Sequence, residues 1–310
     1  MGVFPAVRQH IGKRAGKWIL RLATYILLVD LSFVFIYPFL YMLSTSLKSY
    51  EDLHNLLVAW IPTGFHWENY TLAGEAMSLE VTAFNSILVT VLATAGHLIS
   101  CSFIGYGFAR FNFPFKKALF FGVILSAAIP VQSIIVPLYI VYYNMGMLNT
   151  FLPLIAPTFL GFGLRGGIFI YLFRQFFYGF PATLEEAARI DGCGRIRSFF
   201  RIALPAAGPT IVVTTVLSMV WHWNDYYEPS VYLTAGSKTA LVTQMLPNLY
   251  ANISGMISQT GEINQMELMT LYHEGVVMAA TAIAILPLLI AYAILQKKFM
   301  ASIEMTGLVG

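Results

Sequence analysis

The stretch that decides the reading is Phe180-Pro181-Ala182-Thr183-Leu184-Glu185-Glu186-Ala187-Ala188-Arg189-Ile190-Asp191-Gly192-Cys193-Gly194-Arg195-Ile196-Arg197-Ser198-Phe199-Phe200-Arg201-Ile202-Ala203-Leu204-Pro205. It is charged and basic, yet it lies between apolar runs at about 151–173 and 207–228. Thr183 is predicted to cap a helix whose first turn carries Glu185 and Glu186, since acidic groups suit the positive end of a helix. Gly192 and Gly194 should end that helix. A second short basic helix with Arg195, Arg197 and Arg201 follows, and Pro205 marks the return to apolar sequence. The segment therefore reads as a polar helix–turn–helix between two membrane spans.

The rest of the chain supports that setting. Of 310 residues, 58% are hydrophobic and only 11% charged, with mean hydropathy +0.71; a soluble domain carries about a quarter charged residues. Lipid is the solvent such a composition needs. Six stretches reach the ~20 apolar residues of a spanning helix: about 19–43, 83–109, 118–142, 151–173, 207–228 and 275–296. They are long and continuous, without a period of two, which points to helices rather than a barrel. The basic run Arg8, Lys13, Arg14, Lys17 and Arg21 precedes an apolar run too long for a signal peptide, so it reads as a retained first helix.

Orientation follows from Lys and Arg. The N-terminal run from Arg8 to Arg21, the 2–3 loop (Arg110, Lys116, Lys117), the 4–5 loop (Arg174, Arg189, Arg195, Arg197, Arg201) and the end (Lys297, Lys298) hold 15 of the 18 basic residues. These segments are expected in the cytoplasm, with both termini inside. The expected organisation is a tail over 1–18, a six-helix domain over 19–300 with a polar loop at about 181–206, and a tail over 301–310. The external loops would be about 44–82, which is acidic (Glu51, Asp52, Glu68, Glu75, Glu80), and about 229–274, which could fold against the membrane or a partner.

Glu186-Ala187-Ala188, three residues, Gly192, nine residues, then Ile202-x-Leu204-Pro205 matches at every fixed position the EAA signature of permeases in ATP-binding cassette (ABC) importers. The chain resembles that family further in Arg174-Gln175-Phe176-Phe177 before Pro181, Asn85-Ser86, Tyr106-x-Phe108-Ala109-Arg110 and Trp223-Asn224-Asp225. The nearest type is the second permease of oligosaccharide importers. The resemblance implies an all-α membrane protein with the type I importer permease fold. It implies a cytoplasmic coupling helix in which Glu185, Glu186, Ala187, Ala188, Asp191, Gly192, Ile202, Leu204 and Pro205 meet or support an ATPase. Glu186 would touch it, and Gly192 would permit the tight turn. The implied partners are a second permease in a heterodimer, two ATP-binding subunits that hold ATP and Mg, an extracytoplasmic solute-binding protein, membrane lipid and a carbohydrate; no nucleic acid is expected, and no cofactor in this chain. The implied place is a bacterial or archaeal cell membrane. One departure is the ending Gly307-Leu308-Val309-Gly310, which lacks the lysine of the Gly-x-Val-Lys-Gly-like tail common in relatives.

Intramembrane ions are expensive and usually functional. Asp30 in span one and Arg165 in span four are read either as a pair or as path-lining groups. Arg165 could instead sit at a break made by Gly161, Gly163, Gly166 and Gly167. Arg165, Asn224, Trp223 and Gln132 are the candidates for the substrate path. Most rings of the run Trp221–Tyr227 read as an interfacial belt. His97 and Gln132 also suit interhelical hydrogen bonds, and Pro130 and Pro137 read as kinks in span three. Gly163-x-x-x-Gly167 would allow close packing. Only span four looks broken. Cys101 and Cys193 have no paired spacing, so neither a disulfide nor a metal framework is expected.

Gly236-Ser237-Lys238-Thr239 lacks the spacing of a nucleotide-binding loop, and no HExxH or GxSxG occurs. ATP hydrolysis therefore belongs to partner subunits, and this chain is expected to be no enzyme. The alternatives are an ion-gradient-driven carrier, an ABC importer of a non-sugar solute, and a multi-pass membrane enzyme.

Overall fold

The computed structural model describes the backbone of residues 4–234, 236–260 and 265–307, and the side chains of most of these from residue 17 to 301. Among the described residues all regular structure is helical. The order is α1 (Phe4–Ser46), α2 (Tyr50–His54), α3 (Glu68–Ala76), α4 (Leu79–Arg110), α5 (Lys116–Ala128), α6 (Val131–Asn144), α7 (Leu152–Ile155) with a 3-10 turn at Ala156–Leu160, and α8 (Gly166–Gly179). Then come α9 (Ala182–Ile190), α10 (Arg195–Ser198), a π turn at Phe199–Ala203, α11 (Leu204–Ala206), α12 (Gly208–Asn224), α13 (Tyr227–Tyr232), α14 (Val242–Met245), α15 (Leu249–Thr260), α16 (Gln265–Leu271) and α17 (Glu274–Gly307).

Among the described residues three helices are continuous and apolar enough to cross a bilayer: Lys17–Ser46, Leu79–Arg110 and Glu274–Ala301. At 1.5 Å per residue α4 is about 48 Å long, more than the hydrocarbon thickness. The residues expected to form a basic tail continue α1 from Phe4.

The other three expected spans are bent or interrupted. Span three is no kinked single helix: α5 and α6 meet at 103°. Pro130 lacks an N–H and forces Ile129 out of the helical region, to ψ 122°. Pro137, by contrast, stays inside α6. Span four is interrupted between Leu160 and Gly166, as its glycines suggest. Span three is thus a second broken span that the sequence reading missed. Span five is entered through a 74° bend between α11 and α12.

α4 is the central helix and packs on α8, α12 and the Ala156–Leu160 turn. Helices in lipid gain little from hydrophobic transfer, so close approach and dispersion must hold them. The buried positions of α4 include Thr90, Ala93, Thr94, Gly96, Ser100, Ser102 and Gly105. A Cβ on Gly105 would lie 2.7 Å from Phe173 Cβ and 2.8 Å from Arg174 N. Gly167 likewise lets α8 approach α5, since a Cβ there would fall 2.7 Å from Val123 O. Phe169, Phe173, Phe177 and Phe199 fill the space beside α4.

The loop 229–274 folds onto its own chain. Leu249, Ile253 and Ile257 of α15, Leu268 of α16 and Val276, Ala279 and Ala280 of α17 form one core with Ala73 and Met77. Outside lipid, each buried Leu, Ile or Met here contributes about 1.5–3 kcal/mol. The cap is fastened to α4 by Asn85 Nδ2, which donates to Lys238 O and Ala240 O (both 2.9 Å), and by Ser86 Oγ, which accepts from Val242 N (3.0 Å). In the loop 44–82, buried Lys48 donates to Ala59 O (2.8 Å) and Val58 O (3.3 Å). Asp52 accepts from Thr63 Oγ1 (2.7 Å) and Thr63 N (3.0 Å). Burial pushes the Asp52 carboxyl up, but the Thr63 bonds, the Ser49 backbone and the nearby His66 together outweigh it and hold the group below the usual carboxylate range.

Candidate functional site

Two places carry chemistry: the polar loop at one end of α4, and a cavity between the broken spans.

The loop is the expected helix–turn–helix with one changed detail. Pro181, extended at ψ 119°, precedes α9 and Thr183 lies inside the helix, so no side chain caps it. Pro181 fixes the backbone two residues earlier than the threonine signal suggests. The C-terminal end is a full Schellman motif. Cys193 N donates to Ala188 O (2.9 Å) and Gly192 N to Arg189 O (3.0 Å), with Gly192 left-handed at φ 81°. Gly194 then leads into α10.

The named loop residues face two ways. Glu186, Ala187, Asp191 and Gly192 are exposed and Ala188 is half-buried. Beside them Leu184, Ile190 and Ile196 are 51%, 87% and 68% exposed, and Phe200 is also exposed. Large apolar groups on a polar loop form a patch that suits a protein partner. Leu204 packs against the core of Phe173, Phe177 and Phe199, Ile202 is half-buried and Pro205 is exposed. Glu185, by contrast, faces inward. It is buried, with Oε1 accepting from Arg110 Nε (2.8 Å) and Oε2 from Tyr106 Oη (2.8 Å). The sequence reading used Arg110 for orientation and, with Tyr106, for the family resemblance, but not as a partner of Glu185, because a pairing across some 75 residues leaves no local signal.

The cavity measures about 250 Å³. Both breaks open on it: Ile129, Pro130 and Val131 from span three, and Phe162 to Gly167 from span four. Gln132, Arg165, Ser126 and Glu228 also line it. Backbone outside helices is tolerated at membrane depth where it lines a wet cavity or is buried in protein. Arg165 itself is left-handed, at φ 64°, and starts α8; for a residue that is not glycine this conformation is strained. Its guanidinium lies 5.6 Å from the Trp221 ring centroid and makes no ion pair among the described residues. Asp30 does not pair with it. That carboxylate sits on the exposed face of α1, among Tyr25, Ile26, Val29 and Phe33.

The other candidates divide. Gln132 lines the cavity and is exposed there, without an interhelical bond among the described residues. His97 does make one, with Nδ1 3.3 Å from Ser218 Oγ and 3.4 Å from His222 Nε2. Asn224 is exposed and donates to Val220 O (2.9 Å), away from the cavity lining. Trp223 is buried and donates to Ala284 O (2.9 Å), which makes it a tie between α12 and α17. Glu228, buried in the wall, was not singled out in sequence because it ends an aromatic run that resembles an interfacial belt. Cys101 and Cys193 are both free. The tail residues 308–310 lie outside the described residues.

Comparison with known proteins agrees with this architecture. Residues 102–304 match the family model described as binding-protein-dependent transport system inner membrane component. A probable ABC transporter permease of Pyrococcus horikoshii is 30% identical over 272 residues, covering 85% of this chain and 89% of the relative. A polygalacturonan/rhamnogalacturonan transport system permease of Bacillus subtilis is 26% identical, covering 89% and 93%. A diacetylchitobiose uptake permease of Streptomyces coelicolor is 29% identical, covering 91% and 86%. Among solved structures, a bacterial ABC transporter involved in import of the acidic polysaccharide alginate superposes with TM-score 0.75 at 22% identity, covering 92% of this chain and 98% of that one. The membrane-crossing helices, the helix–turn–helix that turns at Gly192 and the family match together show that this chain belongs to the binding-protein-dependent transport system inner membrane components, the permease subunits of ABC importers.

Proposed function

We propose that this chain passes a carbohydrate, of oligosaccharide size, across a cell membrane by alternating access driven by a separate ATPase. The observation that carries the reading is the exposed face of α9 and α10. It sets Glu186, Leu184, Ile190 and Ile196 outward around a turn that only a left-handed residue closes. That face fits a groove on an ATP-binding subunit, and two such subunits holding ATP and Mg would move it. A second, different permease would complete the cavity, of which Arg165 and Gln132 form one wall. The cap made by α3, α14, α15 and α16 would receive a solute-binding protein. On this reading the α9 end and both termini lie in the cytoplasm, as the Lys and Arg distribution favours. The carbohydrate assignment is supported by the relatives named for polygalacturonan and diacetylchitobiose transport.

The test is co-purification from detergent-solubilised membranes. The chain should bring down an ATP-binding subunit, and Glu186→Arg with Gly192→Trp should abolish the association. Uptake in vesicles should then require ATP and survive collapse of the membrane potential. A chain that purifies alone, or uptake that follows the potential, sinks the ATP-driven reading in favour of a gradient-driven carrier.

A further inference from the structure

Glu185 is the buried residue of α9, and both its carboxylate oxygens are engaged by the end of α4. Arg110 does more than pair with it. Its Nη2 donates to Phe180 O (2.6 Å), the carbonyl just before Pro181, and its guanidinium lies 5.9 Å from the Phe180 ring centroid. One arginine therefore grips α9 at two points, its entering backbone and its first turn, which fixes direction as well as distance. An exposed ion pair would do little. Here the side chains are only 16% and 8% exposed, so water and salt screen the pair weakly, and charge-assisted bonds are about twice as strong as neutral ones.

The clasp also has somewhere to send motion. The Tyr106 ring packs on Phe177 (5.3 Å between centroids) and Phe199 (4.9 Å), joining α8 and the π turn. Further along α4, Ser100 Oγ donates to Thr158 O (2.6 Å) and Cys101 Sγ lies 3.7 Å from Gly166 O. Thr158 and Gly166 stand on opposite sides of the break in span four. α4 is thus bonded at one end to α9 and in its middle to both edges of the segment that carries Arg165.

We propose that Glu185 is a positioning residue, whose clasp with Arg110 and Tyr106 carries displacement of the α9–α10 loop into α4 and so to the cavity at the two breaks. Taking an ATPase as the source of that displacement rests on the importer reading above. Glu185 then differs in role from its neighbour Glu186: Glu186 faces the partner, and Glu185 faces the permease.

The experiment uses the assembled complex, with Ser126→Cys as a reporter in the cavity wall and Cys193→Ser to remove the half-buried thiol. A maleimide is the probe, and its labelling rate is compared without nucleotide and with ATP and vanadate. In the parent the rate should change at least about fivefold. Glu185→Gln should abolish that change while the ATPase still co-purifies and still hydrolyses ATP. A purely structural role would instead lower assembly and hydrolysis together. Retention of the full response in Glu185→Gln, or loss of ATPase co-purification from a folded Glu185→Gln chain, overturns the proposal alone. If that variant does not accumulate, Tyr106→Phe decides: it removes one hydrogen bond and keeps the ring, and an unchanged response overturns the clasp. A parent chain that brings down no ATPase overturns the importer reading itself.

Discussion

Gly192 offers the sharpest test of how the loop is built. A Cβ added there meets nothing within 4 Å, so space is not the constraint. The constraint is φ 81°, a conformation that costs a residue with a Cβ about 1–2 kcal/mol. That energy corresponds to a roughly 5- to 30-fold shift in the population of the closed turn. Asparagine visits this region more readily than other residues, whereas a β-branched residue is the worst case. The predicted order of closed-turn population is therefore Gly192, then Asn, then Ala, then Val. Two measurements follow it: amide exchange of Gly192 and Cys193, whose N–H groups close the Schellman motif, and ATPase co-purification by the intact chain. Both should fall in that order, with Gly192→Ala losing on the order of tenfold protection. Alanine indistinguishable from glycine would refute the conformational argument. Asparagine as damaging as valine would show that side-chain bulk at the docked interface matters instead.

Other perturbations read other parts of the molecule. Arg165→Met should lower uptake at least about tenfold without changing expression if the guanidinium serves the path, as intramembrane ions usually do; unchanged uptake ends that role. Gly105→Val forces a side chain into Phe173 and the backbone of Arg174, and overpacking of this kind costs about 1–3 kcal/mol, to be read as a lower unfolding temperature in detergent. Trp223→Phe deletes the bond to Ala284 O and should destabilise by about 1 kcal/mol, while ATPase co-purification is unchanged. The Asp52 carboxyl is held low when folded, so its stabilisation is present above the ordinary carboxylate range and is lost as pH falls through its depressed folded value. The protection factor of the Thr63 amide should therefore fall on acidification, and Asp52→Asn should flatten that dependence.

Much of this was legible before any coordinates. Span length, the Lys and Arg distribution and the spacing from Glu186 to Pro205 named the fold class, because lipid solvation and a fixed turn geometry leave marks within a short window. Gly192 closed the turn it was expected to close. Which face of α9 each glutamate occupies was not legible: nine residues make few turns, and the partner of Glu185 lies on α4. Thr183 misled because Pro181 starts the helix earlier. Trp223 looked like a ligand-facing ring next to Asn224, and its role depends on a carbonyl 61 residues away. Pro130 signalled a bend, but whether a proline bends or breaks a helix depends on what packs around it, which periodicity does not record.

The paired interruptions in spans three and four have a consequence for how cargo preference can evolve. Part of the cavity wall there belongs to the two breaks themselves, at Ile129 and Pro130 and at Phe162–Arg165, which lie between helices. Peptide groups offer the same donors and acceptors whatever side chains they bear. Substitution can alter the fittings on such a wall, at Arg165 or Gln132, but leaves its peptide lattice in place. A lineage built on this chain could exchange one hydroxyl-rich cargo for another by changing what delivers it, while the doorway is inherited almost intact.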